Sequence, residues 1–139
     1  MRPFVSAIVL LVCALAAGCG KDASTTTPTT TTPASPTTTT ISSRLTVNGA
    51  FSRTFIATTA GTVTATLTRA GGSGTRVGLG IGVPFGGVAR CTLNQSITTT
   101  ASASPQLSAK VDAGQYCVVV FDIGSLTDAI DFDLTVVFP

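Results

Sequence analysis

Downstream of residue 40 the chain is written in short runs where apolar and polar residues alternate. Val63, Ala65 and Leu67 are interleaved with Thr62, Thr64, Thr66 and Thr68. That period of two puts aliphatic side chains on one face of a strand and hydroxyls on the other. Ile130, Phe132, Leu134, Val136 and Phe138 alternate with Asp131, Asp133 and Thr135 in the same way, which predicts a final strand with its even-numbered residues inward. Tyr116 to Phe121 is apolar on both faces, as befits a central strand covered on two sides. Further strands are predicted over Leu45–Val47, Phe51–Ala57, Val77–Val83, Val88–Leu93 and Gln106–Val111. Asn48-Gly49 and Gly71-Gly72-Ser73-Gly74 mark turns. No segment keeps a helical period. About eight strands in about 100 residues predict an all-β fold, an antiparallel β-sandwich of jelly-roll or Greek-key type, with a small barrel as the alternative.

The amino-terminal third follows different rules. Arg2 precedes an uncharged apolar run from Phe4 to Ala17 that ends in small residues, the pattern of an export signal. Its 14 residues fall short of the roughly 20 needed to cross a bilayer. Leu15-Ala16-Ala17-Gly18-Cys19 resembles the lipobox of bacterial lipoproteins, although a larger aliphatic residue commonly stands at the place of Ala16. That resemblance implies residues 1–18 as a cleaved signal peptide and Cys19 as the site of a covalent diacylglycerol and acyl group. It also implies a protein exported and held in the cell envelope by its lipid. Gly20, where an Asp would favour retention in the inner membrane, points to the outer membrane of a cell that has two. Residues 19–40 comprise this cysteine and a Thr/Ser/Pro-rich stretch containing Pro28, Pro33 and Pro36. Such a composition cannot repay ordering entropy by burial, which predicts a disordered linker. Its extended reach is roughly 60 Å, and its composition is also that of O-glycosylated stalks. The folded domain is expected over residues 41–139.

Composition mainly removes possibilities. Of the 139 residues 10% are charged, for a net charge of +2, and there is no basic stripe of the kind that neutralises nucleic-acid phosphates. Cys13 would leave with the signal, and the lipobox resemblance implies Cys19 as the lipid site. Cys91 and Cys117 then remain to pair as a disulfide.

The turn Val111-Asp112-Ala113-Gly114-Gln115-Tyr116 leading into an apolar strand resembles the bacterial pre-peptidase C-terminal domain. The likeness covers Leu107 to Val120, extends upstream to Phe55–Leu67 with its Ala60-Gly61-Thr62 turn, and continues downstream to Asp131–Val137. It implies a jelly-roll-like sandwich serving targeting, binding or folding of exported proteins. The cysteine pair and the glycine-studded strand depart from the pattern. An immunoglobulin-type tyrosine corner is excluded, because Tyr116 and Cys117 are adjacent and point to opposite faces.

The chain has no His and no Glu, so the usual general base, the Ser-His-Asp triad and His-based zinc sites are all missing. A non-enzymatic role is expected, and a free-standing small hydrolase is disfavoured. Lys110 beside a Ser or Thr nucleophile is outweighed by its reading as a solvated surface lysine. Gly78, Gly80 and Gly82 leave one strand face bare, for close packing or for a shallow groove. Asp122, Asp128, Asp131 and Asp133 are the only residues that suggest a metal, a calcium ion held by carboxylate oxygens, against the plainer expectation of solvated aspartates and no cofactor. Arg44, Arg53, Arg69, Arg76 and Arg90 read as scattered solubilising charges or as a weak contact to an anionic surface. The functional expectation is a binding or assembly module with an envelope protein or glycan as partner. The alternative is an accessory domain acting in trans with a secreted peptidase.

Overall fold

The computed structural model describes residues 35–86 and 90–139. The expected signal sequence, Cys19 and most of the expected linker lie outside these residues, as do Val88 and Ala89 of one expected strand. The described residues contain eight strands and no helix: β1 (Thr37–Leu45), β2 (Ala50–Ala57), β3 (Gly61–Ala70), β4 (Val77–Pro84), β5 (Cys91–Thr99), β6 (Leu107–Val111), β7 (Gly114–Phe121) and β8 (Ile130–Phe138).

They form two antiparallel four-stranded sheets, in the orders β1-β8-β3-β6 and β2-β7-β4-β5. The pairs 1–8, 2–7, 3–6 and 4–5 are those of a long hairpin rolled up on itself, a jelly roll. The inward residues meet as predicted. Val63, Ala65 and Leu67 of β3 and Phe132, Leu134 and Val136 of β8 are buried against Leu79, Val118 and Val120 of the facing sheet. Phe51 packs its edge on Phe132, with ring centroids 5.3 Å apart.

Two expectations need correction. The strand expected at Leu45–Val47 instead runs from Thr37 to Leu45. The threonines of that run are β-formers whose backbone is held by β8, from Thr37 opposite Phe138 to Leu45 opposite Ile130. Val47 falls in the turn closed by Gly49 N–H donating to the Thr46 carbonyl, with Asn48 in the left-handed conformation at φ 53°. The strand expected at Val88–Leu93 is likewise displaced to Cys91–Thr99, because its residues are held by pairing with β4 and not by an apolar face.

Strict up-and-down alternation sorts the connections into two ends. The β1–β2, β3–β4, β5–β6 and β7–β8 loops share one end, and Thr37 and Phe138 lie paired at the other.

Candidate functional site at the loop end

The loop end is built by backbone capture. Asp122, just after β7, accepts four backbone N–H groups: Asn48 at 2.8 Å on Oδ2, and Gly124, Ser125 and Leu126 at 2.9, 3.0 and 3.2 Å on Oδ1. Hydrogen bonds to a carboxylate favour its charged form. Asp122 is therefore held below the ordinary carboxylate range, with the Asn48 amide the largest cause. The same residue donates its own N–H to the Gly49 carbonyl, so one aspartate fastens the β1–β2 turn to the β7–β8 loop.

The β5–β6 connection is fastened by Gln106. Its Oε1 accepts the Leu67 N–H at 2.7 Å, and its Nε2 donates to the Leu67 carbonyl at 3.0 Å and to the Thr100 carbonyl at 3.3 Å. The side-chain amide thus stands in for a strand neighbour of β3 just before β6 begins. The β3–β4 loop is shaped by Gly71 and Gly74, at φ 54° and 81°. Gly71 N–H donates to the Asp131 carbonyl, and Ser125 Oγ donates to the Arg76 carbonyl at 2.9 Å.

Between the β3–β4 and β7–β8 loops these bonds leave a cleft of about 420 Å³, lined by Thr75, Arg76, Ser125, Thr127 and Asp128 over Leu126 and Ile130. A second cleft of about 330 Å³ adjoins it, sharing Gly74 and Arg76 and adding Thr98, Thr99 and Thr100. Arg76 sits between the two. The combination of a guanidinium, a carboxylate and a bank of hydroxyls over apolar side chains can hydrogen-bond a polyhydroxylated ligand while its ring or chain packs on Leu126.

The residues singled out in the sequence have separate fates. Cys91 and Cys117 are disulfide-bonded, with Cα atoms 6.0 Å apart. Asp133 forms a two-pronged pair with Arg69, Nε to Oδ2 at 2.6 Å and NH2 to Oδ1 at 3.2 Å. This bond, with Ser42 as a further donor, holds Asp133 below the usual carboxylate range. A bulge at Thr68 turns Arg69 outward to reach it. Asp131 faces Arg44 across the β1–β8 pair. Among the described residues no three acidic or cysteine side chains gather as a metal cage, and the oxygens of Asp122 and Asp133 are already engaged by protein donors. The five arginines do not share one surface, lying on β1, β2, β3 and loops at both ends.

The glycine face of β4 is closely covered. The ring of Phe121 lies over Gly78, Leu93 over Gly80, and the Thr92 backbone over Gly82. The sequence signal that was legible at the loop end was its turn chemistry. The convergence of Arg76 and Thr98–Thr100 has no sequence spacing to announce it.

No family model matches this chain, and no curated protein matches it either.

Proposed function

We propose that this protein is a lipid-anchored, envelope-exposed, non-enzymatic β-sandwich whose loop end binds a polyhydroxylated ligand, a glycan of the cell envelope. The observation that carries this reading is positional. The chain enters the sandwich at Thr37, beside Phe138, at the end opposite the Arg76–Asp128 cleft. A domain suspended from Cys19 through its linker then holds that cleft away from the lipid surface, where a ligand can reach it. The Cys91–Cys117 disulfide supports an oxidising compartment and so export. The jelly-roll strand order is the fold implied by the likeness to the pre-peptidase C-terminal domain.

The test is binding of the full mature protein to polysaccharide fractions of the envelope, alongside an Arg76→Ala variant. The expected result is saturable binding that the variant loses with its melting temperature unchanged. Recovery of a peptidase together with no glycan binding would overturn the glycan reading in favour of an accessory role in trans.

A further inference from the structure

Away from the loop end, the inward-facing positions of the eight strands are apolar or uncharged, with one exception. On β2 the inward set is Phe51, Arg53, Phe55 and Ala57, since Arg53 stands opposite the core residue Val118. A cation in a core-facing position carries a desolvation cost unless its head reaches water. Arg53 meets that condition because β2 is an edge strand and the residue is exposed. Among the described residues its guanidinium forms no salt bridge.

The space beside it is a slot between the two sheets. β1 and β2 belong to different sheets and diverge after the Thr46–Gly49 turn. They leave a cleft of about 160 Å³ walled by Ile41, Phe55, Val118, Val136 and Phe138, with Arg53 among its lining. Its aromatic wall is braced by contact, with Phe55 and Phe138 ring centroids 4.8 Å apart and Tyr116 stacked on Phe55 at 6.0 Å. The loop-end clefts are rich in hydroxyls; this slot is mainly apolar, with Thr39 and Thr54 at its lining and Arg53 as its one charge. At roughly 30 Å³ per water-sized group it holds about five or six heavy atoms. That is too little for a peptide strand, but it fits a short hydrocarbon chain.

We infer that this slot binds an amphiphilic monocarboxylate of short chain length, its tail between Ile41, Phe55, Val136 and Phe138 and its carboxylate on the Arg53 guanidinium. Charge complementarity selects the head group: Arg53 presents a fork that matches a carboxylate two-to-two. The apolar walls select the tail by removing its methylenes from water. The site is independent of the loop-end cleft, so either can fail without the other.

The test is methyl NMR of the full disulfide-bonded protein titrated with hexanoate and, separately, with hexanol at neutral pH. Hexanoate is expected to shift the Ile41, Val118 and Val136 methyls saturably, in the millimolar range usual for so small a ligand. Hexanol, lacking the charge, is expected to bind about tenfold more weakly. Arg53→Gln is expected to bring hexanoate down to the hexanol level. The proposal is overturned by the absence of saturable shifts, by equal binding of the two ligands, or by shifts confined to the loop end. Binding of a peptide with an apolar carboxy terminus but not of hexanoate also overturns it. So does an Arg53→Gln protein that self-associates while keeping its preference for hexanoate, since Arg53 would then serve only to guard the edge strand. The comparison of hexanoate with hexanol on the unaltered protein decides the matter if the variant does not fold.

Discussion

Cys91 and Cys117 are joined although β4 separates their strands in the sheet, with their Cα atoms 6.0 Å apart. The approach works because the start of β5 crosses the outer face of β4, its Thr92 carbonyl lying against the bare Cα of Gly82. The bond closes a loop of about 27 residues, worth roughly 3.5 kcal/mol on a chain-entropy account. Reduction, or the paired change Cys91→Ala with Cys117→Ala, is therefore expected to lower the melting temperature by on the order of 15 °C. Calorimetry with and without reductant checks it, and an unmoved transition would show that the bond contributes nothing.

Gly82 makes that crossing possible. A methyl group at this position would collide with the Thr92 carbonyl and Leu93 Cα, backbone atoms that cannot swing aside. Gly82→Ala is expected to cost about 1–3 kcal/mol, the range of an overpacked site. Gly72, whose added Cβ meets nothing within 4 Å, provides the contrast: Gly72→Ala should be neutral, or stabilising by up to about 1 kcal/mol. Urea midpoints of the two variants decide between them.

Asp122 gives the loop end a pH dependence. Its folded carboxyl titrates below its ordinary value, so the native state binds fewer protons than the unfolded chain. The stabilisation is therefore fully present above about pH 4, near the unfolded value, and is lost as the pH falls through the folded value. Asp122→Ala is expected to lower stability at pH 7 and to flatten its decline between pH 5 and 2. Chemical denaturation across that range is the check; an unchanged acid limb would assign the decline to other groups. Calcium is expected to leave the melting temperature of the unaltered protein where EDTA leaves it, and a clear rise would revive the metal reading.

The proposed anchor is tested by mass. Protein extracted from its native membrane should give a chain beginning at Cys19 and carrying acyl mass, with Cys91 and Cys117 each short of one hydrogen. A chain that still contains residues 1–18, or a mature chain without lipid, would remove the membrane attachment from the proposed function.

The strands with a buried face were legible in the sequence. Val63–Leu67 and Ile130–Phe138 each announce which side faces the core, because burial selects residues at alternate positions, and Tyr116–Phe121 announces instead a strand covered on both faces. Edge strands carry a weaker record. In β1 the run Thr37–Thr40 blends with the threonines of the linker, and its membership in the fold rests on pairing with β8. In β5 the residues from Thr92 to Ser96 are exposed, so no alternation marks them. The site residues were hidden for another reason: Arg53 and Arg76 look like solubilising charges until the topology shows which of them faces inward and which stands between loops.

The placement of Thr37 beside Phe138 also has a mechanical side. Under the proposed function, a ligand held at the loop end and an anchor pulling through Thr37 would draw β1 along its own axis against β8. Antiparallel hydrogen bonds run across the strands, so the load falls in shear on all nine residue pairs from Thr37–Phe138 to Leu45–Ile130 together. A pull from the opposite end of β1 would open the same ladder one pair at a time. The fold is thus set to resist tension in the direction in which a tethered binder would feel it.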